Sequence, residues 1–148
     1  MTIPGPFFVR AWHAAGAITL LALAACATPT VPPPGEVRGA WRIEQARTEP
    51  LLDRRQARLD FGADGRLTGH TSCNRLTATY TLAGDKLAVG PVATTRMACA
   101  PLQLEQEDRV LTALELARTA RVRSDGLLEL RDEDGRGVLR ATRLPEPY

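Results

Sequence analysis

The residues richest in chemistry lie close together at His70, Cys73 and Asn74, within the segment Gly-His-Thr-Ser-Cys-Asn-Arg from Gly69 to Arg75. A histidine, a cysteine and an asparagine are the residue types of a thiol hydrolase, whose thiol is activated by a neighbouring base. Their closeness in sequence argues against that use, because such groups usually converge from distant segments. The chain's other histidine, His13, lies in a segment expected to be removed. No serine-centred elbow, paired-histidine metal motif or glycine-rich phosphate loop accompanies them. The sequence therefore predicts no catalytic residue, no cofactor and no metal. Two readings remain for the segment. In the first, the residues serve a turn: Asn74 satisfies backbone groups and His70 faces water. In the second, His70, Asn74 and Arg96 contact a small ligand or peptide docked on the concave face of a sheet. The turn reading is preferred.

The elements that must position these residues are short and mostly extended. Ala40 to Glu44 and Ala57 to Phe61 alternate between apolar and polar as half-buried strands do. Gly62 to Gly65 turns the chain, and Arg66 to Gly69 returns. An Asp-Gly pair between alternating segments is a good hairpin signal. Arg75 to Leu82 is rich in Thr and Tyr, and Gly84-Asp85 turns it into Lys86 to Val89. Near the end, Arg121 to Arg123, Leu127 to Leu130 and Val138 to Arg140 are separated by Gly/Asp turns. This pattern predicts an α+β fold: a curled antiparallel sheet, small and barrel-like, packed against one main helix.

The helix is expected over Pro101 to Arg118, which holds no glycine and many helix formers. Pro101 suits a first turn. Glu105, Glu107 and Asp108 lie early and Arg118 late, as the helix dipole favours. Leu104, Val110, Leu111, Leu114 and Ala117 are expected to share the face that covers the sheet. Glu107 projects into that apolar arc. A carboxylate there must be paired or lie at the edge. Two readings stand: a salt bridge to Arg75 or Arg96, or a helix end that tilts Glu107 into water.

Residues 1–25 differ from all that follows. Arg10 is their only charged residue, and Ala14 to Ala25 is small and apolar save Gly16 and Thr19. That is the pattern of a secretory signal, and it is too short for a comfortable membrane span of about 20 apolar residues. The run ends in Leu23-Ala24-Ala25-Cys26, which resembles the bacterial lipobox. The resemblance implies cleavage before Cys26 and lipidation of its thiol. Ala27 is not the aspartate that retains some lipoproteins at the inner membrane, so the outer membrane, facing the periplasm, is expected. Several acyl chains anchor firmly. The other readings are an ordinary cleaved signal with Cys26 an unused thiol, and an uncleaved anchor. Residues 26–36 are proline-rich and read as an extended tether; residues 37–148 form the folded part.

Two segments of that part together resemble the META domain, also called the HslJ-like domain, of bacterial envelope proteins. The first is Gly69 to Arg75 with its Cys73-Asn74 pair, followed by Tyr80. The second runs from Ala93 to Cys99 and carries Thr95, Met97, Ala98 and Cys99, followed by Glu107 on the helix. The resemblance covers roughly Val37 to Arg143. It implies an antiparallel sheet curled over one helix, no catalytic reaction, and an association with envelope stress tolerance. Ser72 and Ala78 stand where the family has glycine. Both are expected to occupy negative φ.

If Cys26 carries lipid, two of the three cysteines remain, in an oxidising compartment where disulfides persist. One reading bridges Cys73 to Cys99, which would stabilise by roughly 3–4 kcal/mol on the chain-entropy model and remove the thiol from any catalytic use. The other keeps two buried thiols. With 148 residues the chain has room for one domain with a real core. The net charge of +2 and 5% aromatic content argue against nucleic-acid binding. The expected function is that of a non-enzymatic envelope lipoprotein with a binding or structural role. Two other classes are weighed against it: a module that partners another envelope protein through an exposed strand edge, and a thiol-dependent hydrolase using Cys73.

Overall fold

Alternation of side chains governs most of this molecule. The computed structural model describes Met1, Thr2, Gly5, residues 36–54 and residues 56–145. Cys26 and, apart from those three N-terminal residues, the leader and the tether as far as residue 35 lie outside the described residues. Eight strands carry the fold: β1 (Gly39–Ala46), β3 (Arg58–Phe61), β4 (Arg66–His70), β5 (Arg75–Ala83), β6 (Lys86–Val89), β8 (Thr119–Val122), β9 (Leu128–Arg131) and β10 (Gly137–Arg143). Two-residue strands β2 (Glu49–Pro50) and β7 (Ala93–Thr94) append to β1 and β5. Every pairing is antiparallel, in the order β10-β9-β8-β6-β5-β4-β3-β1, and β1 pairs back onto β10. The sheet is thus a closed barrel of eight strands with one helix, α1 (Pro101–Leu116).

The inward residues are those the alternation selects. In β5, Leu76, Ala78 and Tyr80 are buried while Thr77 and Thr79 are exposed. Trp41, Ile43, Leu59, Phe61, Leu67, Leu128, Leu130 and Leu139 fill the centre. Phe61 meets Tyr80 edge-to-face at 5.1 Å, and the Tyr80 hydroxyl donates to the Gly62 carbonyl at 2.7 Å. Trp41 donates its indole N–H to the Val37 carbonyl at 2.7 Å. Apolar side chains pack the interior, and one open depression, lined by Arg58, Asp60, Thr68 and His70, lies on the outer face. The Asp-Gly hairpin forms as expected, with Gly65 at φ +78° and Asp64 Oδ1 accepting from the Arg66 N–H at 3.1 Å.

The helix rests on Gln106, Val110, Ala113 and Leu114, at spacings of one and two turns. Two sequence expectations change here. The helix ends at Leu116, and Arg118 lies beyond it, donating to the Glu115 and Ala117 carbonyls at 2.7 and 2.9 Å. Leu104 is 45% exposed, because it lies about 200° around the helix from the seated Gln106. Gln106, polar and fully buried, takes the place on the packed face. Its Oε1 accepts from the Leu52 and Asp53 N–H groups at 2.5 and 3.0 Å, so a side chain satisfies the backbone between β2 and β3.

Candidate functional site

The residues of the two resembling segments meet where the β4–β5 turn faces the start of the helix. The turn is tight. The Thr71 N–H donates to the Asn74 carbonyl at 2.8 Å, and the Asn74 N–H donates to Thr71 Oγ1 at 3.0 Å. Within it Ser72 adopts φ +83°, contrary to the expectation of negative φ; Ala78, inside β5, is not among the positive-φ residues. A non-glycine residue in that region costs on the order of 1–3 kcal/mol. Two contacts hold it there: the Ser72 hydroxyl donates to the Asp53 carbonyl, and its N–H donates to His70 Nδ1 at 3.2 Å. A positive φ is the conformation that glycine adopts most readily. The serine adds a hydrogen bond to a strained position.

Asn74 is the hub. It is 2% exposed, and both ends of its amide are occupied. Its Nδ2 donates to Glu107 Oε1 at 3.1 Å and approaches Cys73 Sγ at 3.2 Å. Its Oδ1 accepts from Thr95 Oγ1 at 2.8 Å and from the Met97 N–H at 2.9 Å. One side chain thus ties the β4–β5 turn, the segment after β7 and the helix together. Glu107 also accepts from Thr71 Oγ1 at 2.5 Å. Of the two readings for Glu107, neither holds as stated: it is half-buried, and neutral donors rather than Arg75 or Arg96 meet its carboxylate. Cys73 and Cys99 form a disulfide with Cα atoms 6.0 Å apart, across a separation of 26 residues.

The remaining motif residues have local reasons. A Cβ on Gly69 would sit 2.3 Å from the Arg58 carbonyl oxygen, so β3 and β4 approach too closely there for any side chain. Thr95 accepts from the Arg75 N–H at 3.1 Å as well as donating to Asn74. Met97 contributes its backbone, while its side chain is 63% exposed. Ala98 is exposed, and nothing in the structure explains its identity.

The three candidate ligand contacts are not brought together. His70 lines an open depression of about 570 Å³ on the outer face, flanked by Arg58, Asp60, Arg75 and Thr94. Burial, then the charges of Arg58 and Arg75, lower the imidazole pKa from 6.5, so His70 is neutral at physiological pH. Asn74 is turned inward, and Arg96 is exposed outside the network. Among the described residues, no group of three or more His, Cys, Asp or Glu side chains is placed to hold a metal, and no helix is long and apolar enough to cross a membrane. Sequence reasoning missed Gln106 and Asp53. The signal for Gln106 was its position four residues before Val110 and seven before Ala113 on the seated stripe.

The META domain pattern matches residues 36–144, most of the chain. The chain belongs to the META domain family. No curated protein matches it. Among solved structures, a Burkholderia xenovorans protein determined by NMR is 26% identical, with a TM-score of 0.55 over 73% of this chain and 83% of that one. A second NMR structure, 23% identical, has a TM-score of 0.54 over 71% of this chain and 88% of its own; it shows the fold alone. In this META domain the motif residues are a structural knot: a disulfide, a saturated amide and a carboxylate held by neutral donors.

Proposed function

We propose that this META domain protein is a non-catalytic lipoprotein of the cell envelope, held by lipid on Cys26 at the outer membrane and facing the periplasm. Its domain acts there as a rigid binding or structural module in envelope stress tolerance. The observation that carries the reading is the state of the motif: Cys73 is tied to Cys99, and every polar atom of the Asn74 side chain has an internal partner. Groups so engaged have no lone pair or thiolate for a substrate. The disulfide also suits an oxidising compartment, in line with the leader and the Leu23-to-Cys26 segment. The thiol-hydrolase reading loses its nucleophile to the bridge. The strand-edge partner reading loses the β1 and β10 edges, which pair with each other, while β6 and β8 meet only at Lys86 and Thr119.

The test is the intact mass of protein purified from membranes, with and without reduction and alkylation. The reading expects loss of residues 1–25, added acyl chains, and alkylation at two sites only after reduction. An unlipidated chain would remove the membrane anchor. Cys73 labelled by a thiol reagent before reduction would restore the hydrolase.

A further inference from the structure

A second polar cluster lies on the outer face, away from the Asn74 knot. Its centre is Glu129 in β9, a carboxylate only 3% exposed. The register places Arg121 of β8 and Arg140 of β10 directly opposite it on either side. Arg131 lies two residues along the same strand face, and Arg123 two residues beyond Arg121. All four guanidiniums reach Glu129: Arg131 at 2.8 Å, Arg121 at 3.3 Å, Arg140 at 3.5 Å and Arg123 at 3.8 Å. Arg131 and Arg121 donate hydrogen bonds to it; Arg140 and Arg123 pair with it by charge alone.

A buried carboxylate needs partners, yet two arginines already supply its hydrogen bonds. With Asp125, which pairs with Arg123 at 3.0 Å, two carboxylates face four guanidiniums, so two positive charges are uncompensated. Like charges this close repel unless something holds them, and Glu129 does so from beneath. The arginines are a third to a half exposed and, with Ser124, line an open depression of about 510 Å³. Planar guanidinium forks match the oxygens of a phosphate group. No aromatic side chain lines the depression, so bases would have nothing to stack on.

We propose that the Arg121–Arg123–Arg131–Arg140 cluster, preset by Glu129, is a binding site for phosphate groups, either on a phospholipid headgroup or on a free phosphorylated solute. Arg140 supplies the open donors, and Arg123, paired with Asp125, adds its charge at the rim. Arg131 and Arg121 keep Glu129 covered and add charge. The site does not depend on the lipid anchor.

The probes are pyrophosphate and vesicles of anionic or zwitterionic phospholipid, with the full chain carrying Cys26→Ser so that acylation does not mask binding. Calorimetric titration should show saturable pyrophosphate binding at low ionic strength, weakened at about 0.15 M salt. The Arg123→Gln/Arg140→Gln variant should weaken it by about tenfold or more; Arg58→Gln/Arg75→Gln, in the other depression, should leave it unchanged. In NMR the Nε–H signals of Arg123 and Arg140 should move on titration of the unaltered cluster, which keeps the test decisive if the double variant misfolds. Vesicle binding that is specific to anionic lipid and displaced by pyrophosphate assigns the headgroup. Pyrophosphate binding without it assigns the free solute. No saturable binding to either probe, or binding equal in the double variant, overturns the proposal.

Discussion

Glu107 and Glu129 are two carboxylates drawn into the same domain, and the molecule treats them oppositely. Glu107 is met by a hydroxyl and an amide, and the amide is bound in turn to Thr95 and Met97, beside the Cys73–Cys99 bridge. That network satisfies the carboxylate's hydrogen bonds from neutral donors and includes no cation. Glu129 is met by four cations and leaves an excess. A closed network of neutral donors around one carboxylate fixes the relative positions of three chain segments. An open charged one costs more to assemble and retains a field that acts on other molecules. The family motif therefore lies in the part of the domain that builds it. The part able to recognise something lies in arginines that the motif does not include.

The largest expected effect tests the closed network. Cys73→Ala/Cys99→Ala should lose about 3–4 kcal/mol, because a loop of 26 residues is released in the unfolded chain; urea melts with and without reductant measure it. Next, Asn74→Ala should lose about 2–3 kcal/mol, since Glu107 loses one of its two donors and the Met97 N–H is left without a partner. A loss below about 0.5 kcal/mol would mean the knot is not a unit.

Glu129 supplies the third expectation. Burial pushes its carboxyl up, but the hydrogen bonds and charges of Arg131 and Arg121 outweigh that and hold it below 4.5. A lowered folded pKa gives stability that is present above the unfolded value and lost as pH falls through the folded one. Thermal melts of the wild type should therefore drop as pH falls below about 4.5, while Glu129→Gln should start lower and fall less over that range. Pyrophosphate should raise the melting temperature of Glu129→Gln by relieving arginine repulsion. The smallest effect concerns Ser72. Ser72→Ala keeps the positive φ and loses the hydroxyl bond to Asp53, for about 1 kcal/mol. Ser72→Gly loses the bond but relieves the backbone, so its melting temperature should stay near wild type.

Most strands were legible because their alternation is clean. Leu76, Ala78 and Tyr80 against Thr77 and Thr79 leave little choice of face. Strands β2 and β7, at two residues each, are too short to carry a period. On the helix, apolar counting chose Leu104 over Gln106, because a glutamine reads as polar until two backbone N–H groups are known to need it. At the knot, residue types were legible and partners were not: Glu107 was left between a cation and water, because a neighbouring turn's hydroxyl and amide donors have no signature in the sequence. The arginine cluster was the least visible. Arg121, Arg123, Glu129, Arg131 and Arg140 lie in separate strands, and only the register brings them together. A net charge of +2 conceals it.

Closure of the barrel has a further consequence. Trp41 of β1 pairs with Arg143 of β10, the Arg143 guanidinium lies 4.1 Å over the Trp41 ring, and the Leu144 N–H donates to the Ala40 carbonyl at 2.9 Å. The domain's first and last residues therefore leave the same seam, and the chain traces what is nearly a ring. A ring can be cut elsewhere. A circular permutant that joins residue 144 to residue 36 through a short linker, and opens the chain at Asp125-Gly126, should refold to the same barrel with its disulfide intact.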